Sequence, residues 1–149
     1  MKQRIAVEII SFLFILLFLY ASLSKLLDYQ KFSAQIGQSP LLTGFGNTIP
    51  GLVIGSEIMV SFLLAIPRFR LIALFIALCL MVMFTAYIVA ILNFSTYIPC
   101  SCGGVLEKLG WRDHVVFNAV FIFLSLIGVL LQFKLQESKK NDPASINRI

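Results

Sequence analysis

Four apolar runs dominate this chain: Ile5 to Ser24, Ile49 to Ile66, Leu71 to Leu92, and Val115 to Phe133. Each is long enough to cross about 30 Å of hydrocarbon as a helix, and none alternates polar with apolar residues as a membrane β-strand must. A bilayer interior offers no water to backbone N–H and C=O groups, so such runs satisfy themselves by coiling into helices. Composition agrees, with 59% of the 149 residues hydrophobic and 13% charged. The mean hydropathy of +0.94 lies outside the range of soluble domains. The expectation is an all-α membrane protein, a four-transmembrane-helix bundle forming one domain over residues 1–136. Its helices are expected near 5–27, 49–66, 71–93 and 114–134, with a polar cytoplasmic tail at 137–149.

A net charge of +5 does not indicate nucleic acid, because the basic residues gather at the ends of the apolar runs and form no groove interleaved with aromatics. Lys2, Arg4, Arg68, Arg70, Lys134, Lys139, Lys140 and Arg148 fall on one side of the four runs, and Lys25, Lys31, Lys108 and Arg112 on the other. The positive-inside rule then assigns both termini to the cytoplasm and the first and third loops to the outer face. The first run is longer than the roughly seven to fifteen residues of a secretory signal core. Tyr20-Ala21-Ser22-Leu23-Ser24 is also a weak cleavage site, so the run reads as a membrane anchor.

Between the runs, Tyr29 to Gln38 reads as a short helix on the outer surface, and Pro40, Gly44, Gly46, Asn47 and Pro50 mark a loop back to the membrane. Pro67-Arg68-Phe69-Arg70 allows only a tight hairpin, so the second and third helices should be antiparallel neighbours. Val105 to Trp111 reads as one or two helical turns, with Gly110 as a stop, Trp111 as an interfacial anchor and Asp113 as a cap for the last helix. Gly51 and Gly55 have the spacing of a close helix contact. Arg4 and Glu8 are placed as a helical pair four residues apart.

Pro99-Cys100-Ser101-Cys102-Gly103-Gly104 holds the residues best suited to chemistry. A disulfide across one intervening residue closes a very small ring, which makes it a weak staple and more readily reduced than a structural bridge. On the outer face such a bond persists, whereas a cytosolic thiol pair is kept reduced. Redox activity therefore ranks ahead of a structural clip. A metal site ranks below both, since the outer face offers only these two thiols and His114, short of the four ligands of structural zinc, while two thiolates suffice for copper(I). Cys79, inside the third run, reads as a small packed hydrophobe.

Two further residues join the cysteines as candidate catalytic groups. Glu57 lies near the middle of the second run, where a charge is costly enough to require an interior position, a cationic partner or a proton. Lys25 is one such partner, and a folding ion pair and a proton acceptor coupled to thiol oxidation are both open. His114, the chain's only histidine, starts the last helix on the side of the cysteines, where it is placed either to accept a thiol proton or to contact headgroups. Asn93 and Asn118 have no assignable role.

Leu23-Ser24-Lys25-Leu26-Leu27-Asp28, Glu57 and Cys100-Ser101-Cys102-Gly103-Gly104 together resemble the MauE and DoxX superfamily, in particular its MauE-like redox-associated branch. The resemblance spans almost the whole chain up to Phe133. It implies a four-helix protein of the bacterial inner membrane that handles periplasmic thiols and disulfides alongside thioredoxin-like partners. Members of the MauE kind are linked to maturation of methylamine dehydrogenase, a substrate that does not transfer here. The family motif often has Phe-Gly after its second cysteine where this chain has Gly103-Gly104, which points to a different subgroup.

The expected function is thiol-disulfide exchange with a periplasmic thioredoxin-like protein or disulfide-containing client, one cysteine forming a mixed disulfide and the other resolving it. With no second dithiol on the cytoplasmic side, electrons end on a membrane quinone or on a second periplasmic protein. A quinone pocket would lie between helices near Glu57, although it has no sequence signature and no cofactor is certain. The competing class is a non-enzymatic membrane scaffold with a structural cysteine pair. A transporter ranks lower, because four short-looped helices leave little room for an aqueous path.

Overall fold

A computed structural model describes residues 2–37, 48–94 and 110–141. Every element in them is an α-helix: α1 (Lys2–Leu27), α2 (Tyr29–Gly37), α3 (Ile49–Ala65), α4 (Arg70–Phe94) and α5 (Trp111–Lys140). Three of these, α1, α4 and α5, are long and apolar enough to cross a membrane. α3 is shorter, at 17 residues, or about 26 Å at a rise of about 1.5 Å per residue.

α1 packs against α3 and α5, and α4 packs against the same two, so the four longer helices close a ring in the order α1, α3, α4, α5. The turn at Pro67 joins α3 to its antiparallel neighbour α4 through bonds from Ile66 N to Leu63 O at 3.2 Å and from Phe69 N to Ile66 O at 3.1 Å. That agrees with the hairpin expected from its length. α2 follows α1 after a break at Asp28, with Phe32 N still donating to Asp28 O at 3.0 Å. Phe32 and Ile36, four residues apart and so on one helical face, bury against Ile54 of α3.

One half of the ring is filled. Val7, Ile10, Phe14, Val60, Leu64, Ala73, Leu74 and Ala77 form its core, and Phe14 meets Phe121 edge-on at 5.3 Å between centroids. A Cβ added at Gly128 would stand 3.2 Å from Ile10 Cγ2 and 3.4 Å from Leu74 Cδ1. Gly128 thus lets α5 approach α1 and α4 closely.

The outside of the ring is as apolar as the inside. Phe12 of α1, Phe62 of α3, Phe75 of α4 and Phe123 of α5 are all exposed, while Lys25, Glu57, His114 and Asn118 are buried. This inversion is what a lipid solvent permits, since hydrocarbon solvates an outward Phe as well as a core does.

Several local expectations change. Gly51 and Gly55 face open space, so the close-packing glycine is Gly128. Cys79 is exposed on the outer surface of α4 and is not packed in the core. Gly110 is the N-cap residue of α5, and Asp113 stands in the first turn without capping it, where its charge still favours the helix N-terminus. α5 continues to Lys140, past the apolar run that ends at Phe133. The stretch 95–109, with Cys100, Cys102 and the helical turns expected near Leu106, lies outside the described residues.

Candidate functional site

At the other half of the ring the core opens into a cavity of about 620 Å³, within the roughly 300 to 1,000 Å³ of small-molecule sites. α2 contributes Phe32 and Ile36 to its wall, α3 contributes Leu52, Val53 and Glu57, and α4 contributes Met81, Met83, Phe84 and Tyr87. Lys25 comes from the last turn of α1, and His114 and Asn118 from the first turns of α5. The helix directions place the cavity at the end of the ring where the chain leaves α4 at Phe94 and enters α5 from Gly110.

Lys25 Nζ donates to Glu57 Oε1 at 2.6 Å, a charge-assisted contact between side chains that retain only 9% and 1% of their exposure. Of the three solutions open to a mid-helix carboxylate, the chain therefore uses two together, an interior position and a cationic partner. Two ring faces complete the ammonium's surroundings, with Nζ 5.7 Å from the centroid of Phe32 and 5.9 Å from that of Phe84. Both distances allow cation–π attraction, which strengthens where water is excluded.

The second carboxylate oxygen, Glu57 Oε2, is buried without a hydrogen bond among the described residues. The buried hydroxyls behave differently. Ser11 donates to Val7 O at 2.7 Å, Ser61 to Glu57 O at 2.9 Å and Ser125 to Ile122 O at 2.8 Å, each served by its own helix. Leaving a charged acceptor unmatched costs far more than leaving a hydroxyl, so the cluster holds a spare acceptor beside a lysine with more than one donor proton.

His114, 8% exposed, holds its place through its backbone N–H to Gly110 O at 3.0 Å. The structure thus brings Lys25, Glu57 and His114 to one cavity; the remaining two candidates, Cys100 and Cys102, lie outside the described residues. Asn118, 4% exposed, was noted in the sequence without a role, and the structure places it on the cavity wall. Its spacing of four from His114 on one helical face was the available signal. Asn93, by contrast, is exposed and donates to Val89 O at 2.7 Å. Among the described residues no group of three or more His, Cys, Asp and Glu side chains could hold a metal ion.

At the far end, Glu8 lies 3.8 Å from Arg4 and 3.9 Å from Arg70. The helical pair expected there is present, and α4 adds a second cation to it.

Apolar membrane-length helices enclosing a buried charged cluster define a multi-pass helical membrane protein. The chain belongs to the family described as "Methylamine utilisation protein MauE", whose model matches residues 3–131. No curated protein and no solved structure matches it significantly.

Proposed function

We propose that this protein is a membrane thiol-disulfide redox protein of the redox-associated MauE and DoxX kind, acting through Cys100 and Cys102 on periplasmic partners. In this reading four helices, α3 included, span the bacterial inner membrane, and both termini are cytoplasmic. The distribution of basic residues supports that topology, eight on one side against four on the other. Lys2, Arg4, Arg68 and Arg70 stand at helix ends opposite the cavity, and Lys25, Lys31 and Arg112 stand toward it.

One observation carries the reading: the two cysteines belong to the segment joining α4 to α5, whose attachment points lie at the same end as the Lys25, Glu57 and His114 cavity. In the exchange step a partner thiolate attacks one sulfur of the Cys100–Cys102 disulfide, the S–S bond breaks, and a mixed disulfide forms. The partner's second thiolate then releases it, leaving the partner oxidised and this pair reduced, with two electrons transferred. His114 is the nearest candidate in sequence to take or return the accompanying proton.

The test is a Cys102→Ser variant and a Cys100→Ser variant expressed in membranes and trapped with acid before alkylation. A relay yields a covalent adduct with a thioredoxin-like or client protein from one of the two, and reversible cycling of the wild-type pair at a potential above that of structural disulfides. Survival of function in the double serine variant returns the protein to the scaffold class. Labelling of Cys100 and Cys102 only from the cytoplasmic side removes the proposed topology.

A further inference from the structure

The cavity is larger than the cluster of charges needs, and its chemistry is specific. Its polar end holds a donor and an acceptor side by side: the Lys25 ammonium, with one proton committed to Glu57 Oε1, and Glu57 Oε2, buried and unmatched among the described residues. A single ligand oxygen that accepts from Lys25 and donates to Glu57 satisfies both. Oε2 is itself closed off from solvent, so the ligand oxygen reaches it as the carboxylate turns toward the cavity that Glu57 lines.

Around this polar end the wall is aromatic and sulfur-rich, with Phe84, Phe117, Met81 and Met83. Flat rings pack well against such side chains. The cavity is open: Leu52 on its α3 wall and Met83 on its α4 wall are each more than half exposed. Both lie on apolar helices, so an apolar molecule has access without crossing a charged rim.

We propose that this cavity binds a lipid-soluble quinone and its quinol, with the ring between α3 and α4 and one ring oxygen at Lys25 and Glu57. A quinol hydroxyl both donates and accepts and fits this end fully, whereas the quinone carbonyl uses Lys25 alone. The inference rests on the redox reading only for its purpose. Oxidation of the dithiol to a disulfide gives up two electrons and two protons, and these convert a quinone to a quinol. Binding itself requires nothing from the cysteines.

The experiment uses the full chain in lipid nanodiscs and a photoreactive azido-ubiquinone as probe. Saturable labelling of peptides from Leu52–Glu57 and Leu80–Ile88, displaced by decylubiquinone, is the expected result. Met83→Trp, which adds bulk to the α4 wall and leaves both charges of the ion pair in place, lowers labelling at least tenfold. Glu57→Gln, which replaces one acceptor oxygen with a donor, weakens competition by decylubiquinol more than competition by decylubiquinone.

Labelling that does not saturate, that persists unchanged in Met83→Trp, or that decanol displaces as well as decylubiquinone does, overturns the proposal. The cysteine reading is tested separately in the same preparation. Saturable labelling of the Cys100→Ser/Cys102→Ser variant supports the site even where the dithiol proves inert. A protein whose dithiol cycles while no quinone binds overturns the site and leaves the relay standing.

Discussion

The two ends of this helical ring solve opposite problems with the same four helices. At the end holding the Pro67 turn, Gly128 admits Ile10 and Leu74 to van der Waals contact, and Phe14 closes on Phe121. At the end that holds Lys25, the helices stand apart around about 620 Å³ of space, and a buried ion pair takes the place of interlocking side chains. The filled end is suited to holding the helices together. The hollow end keeps a buried ion pair on the wall of a cavity, a usual division between a scaffold and the site it carries.

The largest effect should come from splitting the ion pair. Glu57→Ala leaves the Lys25 ammonium buried and alone, a change that costs about 3–5 kcal/mol in comparable sites, so denaturant titration in detergent should show a large loss of folded protein. Replacing both residues, as Lys25→Met/Glu57→Met, should recover most of that stability, because neither charge is left unmatched. A double variant as unstable as Glu57→Ala would mean that the pair organises the hollow end in a way its charges alone do not explain.

Overpacking sets the two ends against each other more directly. Gly128→Val should cost about 1–3 kcal/mol, since its Cβ already meets Ile10 at 3.2 Å and the extra methyls have nowhere to go. Ala21→Val, on the cavity wall, should change thermal stability by less than about 0.5 kcal/mol. Equal effects at the two positions would contradict the division into filled and hollow ends.

Truncating a filled-end side chain is expected to cost less than in a soluble protein. Phe14→Ala would cost about 3–5 kcal/mol in a water-soluble core. Here lipid solvates the freed ring surface, so the lost packing contacts dominate and a value on the order of 2 kcal/mol is expected. The smallest effect belongs to the Arg4, Glu8 and Arg70 group, whose carboxylate side chain is 53% exposed and lies 3.8–3.9 Å from its partners. Glu8→Gln should move the unfolding midpoint by the equivalent of less than about 1 kcal/mol, an effect that added salt should reduce further.

Much of the fold was readable from hydropathy alone. The apolar runs became α1, α3, α4 and α5, the Pro67 hairpin made α3 and α4 neighbours, and the mixed stretch from Tyr29 coiled into α2. The site was readable in part. Glu57 announced itself as a costly charge, and Lys25 was the cation within reach, but nothing in the spacing required that they meet. The errors share one cause. Gly51 and Gly55 were given a helix contact because of their spacing and Cys79 a packed position because of its residue type, and all three face outward. In helices that are apolar on every side, no amphipathic stripe marks the interior, so sequence spacing cannot tell a lipid-facing position from a packed one.

The order of residues along the chain was therefore enough to determine that it forms apolar helices, where they turn, and which charges flank them, because those properties follow from local hydrogen bonding and solvation. Which faces meet was decided only by the folded ring. Close contact at Gly128, the cavity, and the union of Lys25 with Glu57 across 32 positions depend on how four helices with equally apolar surfaces fit together. Shape and a few buried polar groups choose that fit where hydrophobicity alone has no preference.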